Sequence, residues 1–131
     1  MKLLLDTHIW LWRALEPQRL TRRVAKALGD PANELWLSPI SIGELIVLLR
    51  KGRLMLPHDA GSWVTRTMQD LQLIEAHLTI DVALTMGSIN FPRGDTADDF
   101  LAATAKVLGL TLSTADENLM NLPGISVLAN R

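Results

Sequence analysis

Lys2-Leu3-Leu4-Leu5-Asp6-Thr7-His8-Ile9-Trp10-Leu11-Trp12 sets an apolar run, an acid and a second apolar run end to end. Lys2 to Leu5 is a short apolar run of the kind that forms a strand covered on both faces. Asp6 ends it. Thr7 to Leu15 then reads as a helix, apolar nearly all round through Ile9, Trp10, Trp12 and Leu15, and Pro17 stops it. An apolar strand, an acidic residue and a helix therefore follow one another within fifteen residues.

The same alternation continues along the chain. Thr21 caps a second helix with Val24, Ala25 and Leu28 as its core stripe, and Gly29-Asp30-Pro31 is a turn. Leu35 to Leu37 is a strand closed by Ser38-Pro39. Ser41 to Lys51 is a helix with Leu45, Leu48 and Leu49 on one face and Gly52 just past its end. Leu54 to Pro57 is extended, Asp59 or Ser62 caps a helix to about Leu71, and Leu73 to Ala76 is a third strand. Ile80 to Ser88 is helical and Phe91 to Gly94 is a loop. Asp95 to Leu108 is a helix ended by Gly109, with Leu101, Ala102, Ala105 and Leu108 inward. Thr111 to Ser113 is a strand, Asp116 to Leu122 a short helical turn, and Ile125 to Leu128 the last strand. Alternating strands and helices predict an α/β fold around a mostly parallel sheet, with ligands at the carboxyl ends of its strands.

Four acidic residues fall at strand-to-helix junctions: Asp6, Glu44, Asp98 and Asp116. Each has a local explanation. Asp6 suits an N-cap, and Ser41 with Glu44 matches a capping box. Asp95 caps the long helix, or Thr96 does so with Asp99 as its partner. Thr114 with Glu117 is a further box, which leaves Asp116 for another duty. Asp98, however, shares helical spacing with Leu101, Ala102 and Ala105 and so starts on the buried side. An inward carboxylate without a partner is costly, and a cation removes that cost. Oxygen-rich clusters bind hard divalent ions, which activate water and stabilise phosphoryl transition states. The pattern points to metal-dependent phosphodiester cleavage.

Composition narrows the alternatives. The chain has 131 residues, 48% of them hydrophobic, enough to bury the core of one domain spanning 1–131. No apolar run approaches the ~20 residues of a membrane helix, and the N-terminus is too short and acidic for a signal peptide, so a cytoplasmic protein is expected. With no cysteine there is no thiolate site. Net charge is −1, yet residues 1–58 carry nine Lys/Arg against five Asp/Glu, while residues 59–131 carry four against nine. A basic surface beside an acidic pocket suits a polyanion approaching a metal. Arg50, Lys51 and Arg53 form the steering patch, or else a merely solvated helix end. Thr7, Ser41, Ser113 and Thr114 offer hydroxyls near helix starts. His8, His58 and His77 share no metal spacing and read as structural or surface. The four Trp read as core or dimer contacts. There is no glycine-rich phosphate loop and no nucleophile elbow.

These motifs resemble those of a PIN domain, and within that family the VapC toxins of bacterial type II toxin–antitoxin pairs. The resemblance rests on Leu3-Leu-Leu-Asp6-Thr7-His8-Ile-Trp-Leu-Trp12, Ser38-Pro-Ile-Ser41-Ile-Gly-Glu44-Leu45, Gly94-Asp95-Thr-Ala-Asp98-Asp-Phe-Leu-Ala-Ala-Thr-Ala105 and Leu112-Ser-Thr-Ala-Asp116, in order over nearly the whole chain. It implies a three-layer α/β/α sandwich and an endoribonuclease dependent on Mg²⁺ or Mn²⁺. It also implies a homodimer neutralised by a VapB-like antitoxin. The family's acidic set falls on Asp6, Glu44, Asp98 and Asp116, with Asp95 as an alternative to Asp98, and Thr7, Ser41 and Thr114 in support. One departure is Asp99, where the subgroup commonly carries Arg. A non-catalytic PIN-like domain that only binds RNA or a partner is the main alternative. Phosphotransfer receivers and haloacid-dehalogenase phosphatases rank lower, because Asp6 is followed by Thr7-His8 and Lys106 lies inside a helix.

Overall fold

The computed structural model describes residues 1–91 and 95–131. Among these residues five strands, β1 (Lys2–Leu5), β2 (Glu34–Leu37), β3 (Ile74–Glu75), β4 (Thr111–Thr114) and β5 (Val127–Ala129), form one sheet in the order β3-β2-β1-β4-β5. Every pairing is parallel, with Leu4 opposite Trp36 on one side and Leu112 on the other. The chain moves outward from β1 to β2 and β3, then returns to lay β4 on the other side of β1. That reversal opens a crevice at the carboxyl ends of β1 and β4.

Among the described residues, seven α-helices cover the sheet: α1 (Thr7–Leu15), α2 (Arg22–Gly29), α3 (Pro39–Arg50), α4 (Ala60–Asp70), α5 (Ile80–Thr85), α6 (Thr96–Leu108) and α7 (Glu117–Met120). Because successive strand side chains alternate, β1 feeds two cores. Leu3 and Leu5 join Ile9, Trp10, Val24, Leu45 and Trp63 on one face, while Leu4 joins Leu101, Ala102, Ala105, Leu112 and Leu119 on the other. This is the expected three-layer sandwich. Full burial of each such Leu contributes on the order of 2 kcal/mol.

The glycines that end helices act as expected. Gly52 and Gly109 both sit at φ 66°, and Leu110 N–H reaches back to the Ala105 carbonyl at 2.9 Å. Several boundaries differ from the sequence reading. α3 begins at Pro39 rather than Ser41, because Ser38 is its cap and proline suits the first helical position. A 3₁₀ turn over Pro17–Arg19 follows α1. α7 is only four residues long, and β5 starts two residues later than expected. In α2 the inward stripe is Val24, Ala27 and Leu28, with Ala25 exposed. Leu108 is exposed rather than inward. Of the expected Phe91–Gly94 loop, residues 92–94 lie outside the described residues.

Candidate functional site

Asp6 stands where β1 gives way to α1, and its backbone N–H is still in the sheet, donating to the Ser113 carbonyl at 2.9 Å. Its side chain is buried and doubly engaged. One oxygen accepts from Thr7 N–H at 2.7 Å as the cap of α1, and the other accepts from Thr114 Oγ1 at 2.6 Å. A carboxylate oxygen has two lone pairs, so neither bond exhausts its oxygen. Thr114 also accepts from Asp116 N–H at 3.0 Å, which ties the ends of β1 and β4 together.

Glu44 comes from the second turn of α3, not the first. The predicted capping box with Ser41 does not form, since Ser38 accepts from Ile40 N–H and already caps the helix. Glu44 is instead held from across the crevice by the Thr7 hydroxyl, which also lies 2.9 Å from Ser41 Oγ. Thr7→Val keeps the shape and removes both contacts. We expect it to cost about 1–3 kcal/mol by urea unfolding, because buried polar groups lose partners.

Asp95, not Thr96, caps α6 by accepting from Asp98 N–H at 3.1 Å. Asp98 then lines the crevice from the first turn, beside the Asp116 carboxyl. Asp116 is itself the cap of α7, accepting from Asn118 N–H at 2.9 Å. The expected Thr114–Glu117 box, which would have left Asp116 without capping duty, is therefore not formed.

Asp6, Glu44, Asp95, Asp98 and Asp116 thus line one crevice of ≈ 370 Å³ with His8, Trp12, Arg19 and Ala115. Their crowding shows in their acidity. Burial pushes the Asp98 carboxyl up to about 8, helped by the adjacent Asp116 carboxyl and the charges of Asp6 and Asp95. Burial also raises Asp6 and Glu44, against the lowering effect of their threonine donors. Asp99 adds another carboxylate to a neighbouring recess with Asp98 and Asp116. A second groove, of ≈ 480 Å³ and largely apolar, runs on from Thr7, His8 and Glu44 past Ile40, Val47 and Phe100 to Lys51 and Arg53. Arg50 does not line it. His8 and Arg19 are crevice residues that the sequence reading did not assign to the site.

The donors are hard oxygens, and their repulsion suits a divalent cation. As placed, though, no three His, Asp or Glu among the described residues are arranged to hold one ion together. Asp6 is turned to its two donors, and Asp98 and Asp116 to each other.

Comparison with known proteins settles the family. The PIN domain family model matches residues 3–125. The chain belongs to the PIN domain family. It is 35% identical over 118 residues to Ribonuclease VapC22 of Mycobacterium tuberculosis, covering 88% of each chain. The PIN fold recurs in VapBC2 from Rickettsia felis bound to a promoter DNA fragment, with TM-score 0.72 and 17% identity over 98% of both chains. It recurs also in DNA-bound VapBC from Salmonella typhimurium, with TM-score 0.68 and 18% identity over 100% of this chain and 99% of that one. In this PIN domain the carboxylates named above gather at the strand-order reversal.

Proposed function

We propose that the protein is an endoribonuclease dependent on Mg²⁺ or Mn²⁺ that acts as the toxin of a type II toxin–antitoxin pair. The observation that carries this reading is the convergence of Asp6, Glu44, Asp98 and Asp116 on one crevice in a PIN domain. The likeness to a protein named as a ribonuclease supports the substrate class. Asp6, Asp98 and Asp116 would hold the ion. When bound, it supplies charge neutralisation and an activated water. Glu44, fixed by Thr7, would orient a water beside the ion. Thr114 holds Asp6, and Thr7 with Ser41 stiffens the wall between α1 and α3. Lys51 and Arg53 draw the RNA backbone along the groove, with Arg50 adding to the field beyond it.

Partners follow from the surface. The apolar groove beside Glu44 suits an apolar helix of a VapB-like antitoxin. Ile80 and Leu84 lie one turn apart on α5 and are 79% and 72% exposed, an apolar strip suited to a second copy in a homodimer. No helix among the described residues is long and apolar enough to cross a membrane.

A second reading, a PIN fold that binds RNA or a partner without cutting, draws on the absence of a closed three-ligand arrangement among the described residues. Cleavage of defined single-stranded RNAs in Mg²⁺, Mn²⁺ or EDTA separates the two. We expect cleavage that falls at least ~1000-fold in EDTA. Binding without cleavage in either metal would leave the second reading standing.

A further inference from the structure

One wall of the crevice is not used by the carboxylate chemistry. His8 and Trp12 stand one turn apart on α1, their rings 5.8 Å apart and tilted by 51°. Arg19 follows in the 3₁₀ turn and lays its guanidinium over the Trp12 ring, 4.3 Å from the centroid. All three side chains line the crevice. Arg19 is also fixed at its backbone. Its N–H donates to the Glu16 carbonyl at 3.0 Å, and its own carbonyl accepts from Asn130 Nδ2 at 3.1 Å. Asn130 Oδ1 in turn accepts from Thr21 N–H at 2.8 Å, so the C-terminal segment clamps the turn.

The placement of this cation is unusual for its surroundings. Among the described residues it is the one Lys or Arg lining a crevice with five carboxylates, yet its ion pair is with Glu16 outside the crevice, at a long 3.7 Å. An arginine carries five N–H donors, and that contact uses few of them. Its attraction to the Trp12 ring face holds the guanidinium at the wall. Its side chain stays 52% exposed. A phosphodiester entering between these acids meets strong repulsion, and a planar donor fork at the wall matches its oxygens.

We propose that Arg19, braced on Trp12, is a substrate-binding residue that grips a phosphate of a single-stranded RNA next to the scissile one. The inference rests on the ribonuclease reading. Arg19 stands on the wall, while the carboxylates of β1 and β4 mark the reacting centre. Its contact therefore serves ground state and transition state alike and shows in KM rather than kcat.

The test compares wild type, Arg19→Ala and Arg19→Lys on one fluorescein-labelled single-stranded RNA. Steady-state cleavage is followed in Mg²⁺, and binding in Ca²⁺ between about 50 and about 300 mM salt. Arg19→Ala keeps the backbone bond to Asn130, and a thermal melt checks its folding. It should raise KM about tenfold with kcat within about twofold. Its plot of log affinity against log salt should be shallower by about 0.7, the loss of one single-strand phosphate contact. Arg19→Lys should restore the salt slope and part of the KM. An active wild type with an Arg19→Ala variant unchanged in KM and slope overturns this inference alone. A fall in kcat at constant KM overturns it too. A wild type inert toward RNA overturns the ribonuclease reading and this inference with it.

Discussion

Asp6→Asn is expected to reduce metal-dependent RNA cleavage at least ~1000-fold, because it removes the carboxylate at the centre of the proposed ion site. The fold should survive. Asn offers one carbonyl oxygen where Asp offers two, so either the Thr7 or the Thr114 bond is lost. That costs about 1 kcal/mol. Burial already raises the Asp6 pKa, so the ion is itself held at a cost that the neutral amide does not carry. The two effects oppose each other, and circular dichroism should show a native spectrum with a modest change in melting temperature. Undiminished cleavage by a folded variant would remove Asp6 from the ion site and refute the assignment.

The second large effect is on stability against pH. The Asp98 carboxyl rises from its ordinary value of 3.8 to about 8 in the fold, chiefly through burial. Between those values the native state keeps a proton that the unfolded chain has released. Stability is therefore highest below about pH 4 for this group and is lost as pH rises toward 8. Asp6 and Glu44 are shifted in the same direction and add to the slope. Asp98 is only half-buried, so solvent screening reduces the effect to an estimated 1–2 kcal/mol, or roughly 5 °C in melting temperature. In metal-free buffer the melting temperature should fall from pH 5 to pH 8.5. Asp98→Asn should flatten most of that fall and melt higher than wild type at pH 8.5, while losing cleavage. A melting temperature that climbed with pH would contradict the crowding of these acids.

The sequence made the frame legible because its signals were local and agreed with one another. Leu3 to Leu5 could only be a buried strand, Gly109 could only end α6, and together with Asp6 they fixed the sheet's working end. Boundaries slipped where two caps competed. Ser38-Pro39 outranked Ser41, which moved Glu44 to the second turn and freed it from the box that local pattern suggested. Asp116 became the cap that Thr114 was expected to provide, and Thr114 turned to Asp6 instead. The first exchange has a local signature in Ser38-Pro39; the turn of Thr114 to Asp6 has none, since it depends on β1 and β4 lying side by side. His8 and Arg19 escaped notice for the same reason. His8 has no metal spacing, and Arg19 sits in a turn after a proline, where only the fold brings it over Trp12. Leu108 reads as inward from its spacing but is exposed in the fold, where Leu110 takes the buried place after Gly109.

The direct measurement is the anomalous signal of Mn²⁺ in crystals soaked at neutral pH. A peak in the crevice, with oxygens of Asp6, Asp98 and Asp116 within about 2–2.5 Å and the Asp98–Asp116 contact broken, is the predicted result. Crystals of cleavage-competent protein with Mn²⁺ bound elsewhere, or with no ion among these carboxylates, would contradict it.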